Sequence, residues 1–196
     1  MKSLIHSVFL GLLLFGFFSC TADADNSGER IETNPDEIDY SEFEGKSLRD
    51  YGIPALIMLP DQTSNIGAAV EPEILHEDGD FKWEIIIGPN FTMQIEDYGN
   101  EKSMVQEEKD RLSRIRFYTI EYSIDEPDLI MYKRTLSYSG KSSAEAEAVG
   151  AEHITYHCYG TKEIDGITYV LRSRDEGYHK PIIETMVKTI RSVEKL

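Results

Sequence analysis

The sequence predicts an α+β domain in which a mostly antiparallel sheet is flanked by helices. Three observations predict this class: short runs alternate between apolar and polar residues, Asp-Gly pairs separate some of these runs, and two stretches follow helical spacing. Strands joined by tight turns are antiparallel, and a helix with one apolar face needs a surface to cover it. The residues after position 45 are numerous enough to form one hydrophobic core.

The first predicted strands lie between residues 55 and 96. Ala55–Leu59 is an apolar run between two prolines, which is typical of a short buried strand. Glu73–Glu77 and Phe81–Gly88 predict the two arms of a hairpin across Asp78-Gly79, a pair that favours tight turns. In Phe91–Glu96 apolar and polar residues alternate, which predicts a strand with one buried face.

A helix is predicted at Glu101–Arg116. Its narrow buried stripe contains one carboxylate, and the stripe comprises Met104, Val105, Glu108, Leu112 and Ile115. Acidic residues come early in this segment and arginines come late, which the helix dipole favours. Acidic residues also lie four positions before Arg111 and Arg114, so the arginines are interpreted as part of a solvated face.

Two hairpins and a closing helix follow. The hairpins pair Tyr118–Ile124 with Leu129–Arg134, and Glu152–Tyr159 with Ile167–Asp175. Residues 139–151, between the hairpins, are small and polar and predict a loop. The second hairpin turns at Asp165-Gly166, the strongest local signal in the chain. Pro181 opens the last helix, whose apolar residues keep helical spacing up to Val193.

The first twenty residues predict how the domain is delivered. Lys2 precedes an uncharged apolar run, Val8–Phe18, and Ser19 and Cys20 follow. This order is typical of an export signal, and the run is shorter than the roughly 20 residues that span a bilayer. Phe17–Cys20 resembles the lipobox of bacterial lipoproteins, which implies cleavage before Cys20, acylation of its thiol and acylation of the new amino terminus. The alternative is an ordinary secretory signal in which Cys20 is incidental.

Charge divides the rest of the chain into a tether and a domain. Residues 20–45 hold nine acidic residues against Arg30 alone, so they predict a flexible tether between a signal peptide at 1–19 and a single domain at 46–196. The whole chain has a net charge of −16, and loss of Lys2 with the signal makes it −17. This charge argues against nucleic acid as a partner. With two acyl chains at Cys20 the protein would stay on a membrane, on the periplasmic side or at the cell surface.

The order of elements resembles the PsbP-like α/β/α sandwich, which recurs in bacterial lipoproteins of the DcrB and LpqN groups. The resemblance covers residues 47–193 and rests on the element order, the strand Trp83–Ile87 and the helix Ile183–Val193. It implies a non-enzymatic accessory or binding role. A cystatin-like α+β roll is the alternative fold.

No residue pattern predicts a catalytic site, a metal site or a cofactor. His153 and His157 lie on a predicted strand, where they are roughly 13 Å apart and too distant to share one zinc ion. A calcium-loop pattern at the start of the tether fails at Asn34, and a phosphate-loop pattern at 139–142 fails at Thr135. The nucleophile-elbow and zinc-protease motifs do not occur. A cell-envelope hydrolase whose site is assembled from distant residues is the alternative to a binding protein.

The turn at Asp165-Gly166 also predicts the register of its hairpin. In a two-residue type I′ turn Ile164 faces Ile167, so Tyr159 faces Arg172 and His157 faces Arg174. Alternation then places on one face His153, His157, Tyr159, Arg172 and Arg174, which we call the predicted strip. The opposite face, predicted to be the core, holds Ile154, Tyr156, Cys158, Tyr169 and Leu171. The predicted strip suits an anionic ligand or an envelope protein with carboxylates. The alternative is a solvated face whose arginines pair with nearby acids.

Overall fold

A computed structural model describes residues 38–66, 70–136 and 153–196. Within these ranges the chain forms two antiparallel sheets and two α-helices, which confirms the predicted α+β class. The predicted signal peptide, Cys20, most of the tether and the predicted loop at 139–151 lie outside the described residues. In the described part of the chain, no helix has the length and apolar character needed to cross a membrane.

The elements follow one another along the chain in nearly the predicted order. They are β1 (Phe43–Ser47), β2 (Ala55–Pro60), β3 (Glu73–His76), β4 (Lys82–Ile87), β5 (Phe91–Asp97), α1 (Met104–Ser113), β6 (Tyr118–Asp125), β7 (Leu129–Leu136), β8 (Ile154–Ile164), β9 (Ile167–Ser173), α2 (Lys180–Ser192) and β10 (Glu194–Lys195). Strands β3 to β9 form the large sheet, in the spatial order β3-β4-β5-β9-β8-β7-β6. All three predicted hairpins are present as neighbouring antiparallel strands.

The small sheet, in the order β1-β2-β10, was only partly predicted. Strand β1 begins at Phe43, so residues 43–45 of the predicted tether pair with β2. Just before it, the hydroxyl of Tyr40 donates to the backbone carbonyl of Lys188 at 3.2 Å. Most side chains of β1 are exposed, so backbone pairing rather than apolar burial holds this acidic segment in the fold. Amino-acid composition does not predict order that comes from backbone hydrogen bonds.

The main core fills the space between the large sheet, α2 and the small sheet. Alternating residues of the large sheet face it, such as Leu129 and Met131 on β7 and Leu171 on β9. Helix α2 contributes Ile183, Met186, Val187 and Ile190, which are all buried. This core holds most of the buried apolar side chains that the structure describes, so it supplies most of the hydrophobic stabilisation.

A smaller core lies on the opposite face of the large sheet, under α1. It is built from the intervening residues of the same strands, such as Ile130 and Tyr132 on β7 and Val170 on β9. Helix α1 is shorter than predicted, since it ends at Ser113, and Ile115 packs against this core from beyond that end. The large sheet therefore has one face covered extensively and one covered by a single short helix.

Gly160 allows α2 to lie close against the large sheet. A Cβ atom at this position would lie 2.7 Å from Cγ2 of Ile190 on α2 and 3.0 Å from Cδ1 of Leu129 on β7. Carbon atoms in contact normally lie about 3.5–4.0 Å apart, so any side chain at position 160 would push the helix or the neighbouring strand away.

We expect Gly160→Ala to destabilise the domain by about 1–3 kcal/mol, the usual cost of overpacking a core. The free energy of unfolding can be measured in urea from the emission of Trp83, the one tryptophan of the chain, which is buried. Gly45→Ala is the matched control, because a Cβ on that strand residue would meet its nearest atoms at 3.6 Å. Equal stability of the two variants would contradict the close approach.

Candidate functional site

The β8–β9 hairpin has the predicted register. Asp165 and Gly166 both have positive φ values, of 54° and 81°, as a type I′ turn requires. Ile164 pairs with Ile167, and Tyr159 pairs with Arg172. Beyond the paired residues, the backbone N–H of Cys158 donates to the hydroxyl of Ser173 at 3.3 Å. The predicted pairing of His157 with Arg174 is not part of the observed register, because the next bridge joins Tyr156 to Tyr178 rather than to Asp175.

A cleft of about 400 Å³ lies between α1 and this part of the large sheet. Three members of the predicted strip contribute to it, namely His157, Tyr159 and Arg172. Helix α1 and the adjoining strands and loops supply the other polar side chains, which include Tyr98, Glu107, Glu108, Arg111, Tyr132 and Asp175. The hairpin register and the position of α1 together create this cleft, which we call the α1 cleft.

The remaining members of the predicted strip lie elsewhere. His153 is exposed and borders a separate cavity next to His179. The guanidinium group of Arg174 forms an ion pair with Glu84 at 3.5 Å, as the alternative of a solvated face predicts. The prediction that Ile154 belongs to the core is wrong, because it is the first residue of β8 and its surface is 39% exposed.

His157 is a packed, uncharged residue at the floor of the cleft, which differs from its predicted role in an exposed basic strip. Its ring stacks on Tyr132 with centroids 5.1 Å apart, and its Nε2 lies 2.8 Å from the hydroxyl of Thr155. On another side the ring abuts Gly177, where a Cβ would lie 2.5 Å from Cε1. Burial, helped by the charge of Arg134, lowers the pKa of His157 to about 4. The imidazole is therefore neutral at pH 7.

Arg172 and the buried carboxylate of Glu96 form the polar network on the β9 side of the cleft. One terminal nitrogen of Arg172 donates to Glu96 at 3.1 Å, and the other donates to Asp175 at 3.0 Å. The hydroxyl of Tyr98 also donates to Glu96, at 2.8 Å. Burial raises the pKa of Glu96, but these hydrogen bonds and the nearby positive charges outweigh burial, so the net shift is downward. Glu96 is ionised at neutral pH.

Glu108 and Arg111 form a second network on the α1 side. Two nitrogens of Arg111 donate to the two carboxylate oxygens of Glu108, each at 2.7 Å. The hydroxyl of Tyr132 lies 3.4 Å from the same carboxylate. Glu108 is buried on the helix face that meets the sheet. Arg111 borders the cleft, and its side chain is 58% exposed and paired with an acid of the same helix, which agrees with the interpretation of a solvated face.

The sequence contained one signal for the α1 side of the cleft. Glu108 interrupts the apolar stripe of the predicted helix, and a carboxylate on a buried stripe requires a polar partner. Tyr98 gave no such signal, because it follows β5 in a loop and reaches the cleft only through the pairing of β5 with β9.

The thiol of Cys158 lies on the main-core side of β8 and is buried, as strand alternation predicts. Burial raises its pKa to about 12, and the hydrogen bonds to Ser173 reduce that rise only in part. Because the thiolate is the nucleophilic form, Cys158 is poorly suited to covalent catalysis. In the described part of the chain, no group of three His, Cys, Asp or Glu side chains is arranged to hold a metal ion.

No protein-family model matches the sequence, and no curated protein matches it significantly. No activity or ligand therefore comes from similarity. Function is inferred from the residues of the α1 cleft and from those of the amino terminus.

We expect His157 to make folding stability depend on pH below neutrality. Its pKa is about 4 in the folded chain against 6.5 in the unfolded chain, so between these values the unfolded chain binds more protons. Stability therefore falls as pH decreases, by about 2.5 kcal/mol from this residue between pH 7 and pH 4.5. Urea unfolding followed by circular dichroism should show this loss in the natural chain and not in His157→Gln.

His153→Gln is the control for this measurement, because His153 is exposed at the start of the same strand. The pH range stops at 4.5 because the lowered pKa of Glu96 produces its own loss of stability below that pH. Circular dichroism is used because it reports the unfolding of the whole sheet rather than the surroundings of one side chain. If His157→Gln loses as much stability as the natural chain, the assignment is wrong.

Proposed function

We propose that this chain is a lipid-anchored, extracytoplasmic binding protein that takes its ligand in the α1 cleft. The observation that carries the proposal is the cleft itself. It gathers hydroxyl, guanidinium and carboxylate groups from α1, β8 and β9, and from the loops that follow β5 and β9, over a rigid sheet. Converging polar groups on a fixed scaffold are typical of a ligand site.

The amino terminus supports the anchor. A charged start, a short apolar run and Cys20 occur in the order that lipoprotein signals use. The acidic segment after Cys20 would hold the domain away from an anionic membrane surface, because like charges extend a linker and repel the lipid. We place the domain on the periplasmic side of a membrane or at the cell surface, with a component of the cell envelope as its ligand.

The chemistry of the cleft favours binding over hydrolysis, the alternative function. Covalent catalysis needs an activated nucleophile, and the raised pKa of Cys158 works against one. A general base works best with a pKa near the operating pH, whereas that of His157 is about 4. The carboxylate of Glu108 is engaged by both nitrogens of the Arg111 fork. The protonation states and pairing of Cys158, His157 and Glu108 therefore suit hydrogen bonding to a ligand better than proton transfer or nucleophilic attack.

The arrangement of helices supports the PsbP-like sandwich over the cystatin-like roll. Helix α2 packs on one face of the large sheet and α1 packs on the other, as the separate cores beneath them indicate. A sandwich of this class has helices on both sides of its sheet, whereas a roll wraps its sheet around one. The accessory and binding roles that this resemblance implies agree with the proposed function.

We expect Cys20→Ala to move the protein from the detergent phase to the aqueous phase in a detergent phase-separation assay of cell extracts. The reason is that acyl chains on Cys20 would supply the membrane attachment, whereas a net charge of −16 disfavours binding to anionic lipid.

Cys158→Ala is the matched control, because it removes the other cysteine of the chain. That variant should stay in the detergent phase. Retention of Cys20→Ala in the detergent phase would refute the anchor, and metabolic labelling with a fatty acid should follow the same pattern.

A further inference from the structure

The hydroxyl of Tyr159 is a hydrogen-bonding group that lines the α1 cleft. The residue is buried, with 8% of its surface exposed, and within residues 38–66, 70–136 and 153–196 its hydroxyl makes no hydrogen bond. It is not among the fully enclosed polar atoms without a partner in these ranges, which belong to Arg134, Thr135 and Thr189. A nearly buried hydroxyl in this position is a place for a ligand to bind.

Donors and acceptors surround this hydroxyl. The charged groups that act on it are Glu108, Arg172 and Glu96, which lie on different sides of the cleft. Two of the five N–H groups of Arg172 bind Glu96 and Asp175, which leaves three without a partner in the described chain. A ligand that both donates and accepts hydrogen bonds could use Tyr159 and the free N–H groups of Arg172 together.

The charges of the cleft favour a neutral ligand over an anion. Two guanidinium groups border it, those of Arg111 and Arg172, against three carboxylates, those of Glu107, Glu108 and Asp175. His157 adds no charge at neutral pH. Each guanidinium group is already paired with a carboxylate, so an anion would have to displace one while meeting the repulsion of an acidic domain.

An aromatic ring at the cleft supplies an apolar surface beside these polar groups. Tyr98 is 40% exposed, and its hydroxyl is fixed by Glu96 at 2.8 Å, so the orientation of the ring is set. The exposed aromatic ring could pack against the C–H bonds on one face of a ligand ring. The fixed donors and acceptors beside it could then bind hydroxyl groups at the edge of that ligand ring.

We infer that the α1 cleft binds a neutral saccharide. The inference rests on the proposed function and gives its ligand a chemical class. Tyr98 covers the C–H face of a sugar ring, while Tyr159 and the free N–H groups of Arg172 bond to its hydroxyls. The volume of about 400 Å³ lies in the range of roughly 300–1,000 Å³ that is usual for small-ligand sites.

The test uses the full-length chain in a zwitterionic detergent, applied to a printed array of neutral and uronic-acid oligosaccharides. We expect binding to one or more neutral members. The dissociation constant for a bound member should rise roughly 3- to 10-fold in Tyr159→Phe, the size of one neutral hydrogen bond. Tyr156→Phe is the matched control and should bind like the natural chain, because Tyr156 lies on the same strand and packs against the main core on the other face.

Two outcomes would overturn the saccharide class: no binding to neutral members, or binding confined to acidic members. Equal affinity of Tyr159→Phe and the natural chain for a bound neutral member would overturn the assignment of that saccharide to the α1 cleft. A pull-down from envelope extract with Tyr98→Ala separates these failures from that of the proposed function. If the natural chain retains an envelope component that Tyr98→Ala loses while the array stays negative, the cleft binds a ligand of another class. If Tyr98→Ala changes nothing in the pull-down and the array is negative, the proposed binding function also fails.

Discussion

The architecture of this protein depends on the register of the β8–β9 hairpin. The two-residue turn at Asp165-Gly166 allows one pairing of the strands, and a shift by one residue would exchange the faces of every side chain. In the observed register Cys158 and Leu171 face the main core, while Tyr159 and Arg172 face α1. The neighbouring strands β5 and β7 are paired to this hairpin, so its register also determines which of their residues reach each face.

The two faces of the large sheet are therefore covered differently. One face is covered by α2 and the small sheet, and Gly160 allows α2 to approach closely enough for a dense core. On the other face, α1 is the helix that covers the sheet within the described ranges, and the area beside it forms the α1 cleft. Polar networks at Glu96 and Glu108 border this opening, where an apolar surface would otherwise be exposed to water. The main core and the proposed ligand site thus lie on opposite faces of one sheet.

Local patterns in the sequence predicted the class, the hairpins, both helices and the register, because turn residues and alternation act over short distances. Strand β1 was not predicted, because its order comes from backbone pairing with β2. The acidic composition of residues 20–45 indicated a flexible tether instead. The pairing of Tyr159 with Arg172 was predicted correctly, but the predicted strip was too long, since His153 borders a separate cavity and Arg174 forms an ion pair with Glu84. Tyr98 was missed because the pairing of β5 with β9 brings the loop after β5 to the cleft.

Native-state hydrogen exchange tests this division of the sheet most directly. Because α1 covers a small core, its amides should exchange through a local opening whose free energy lies at least about 2 kcal/mol below that of unfolding. Amides of β8, β9 and α2, which border the main core, should exchange only when the whole domain unfolds. If α1 exchanges together with β8 at the full free energy of unfolding, the helix belongs to the stabilising core and the account is contradicted.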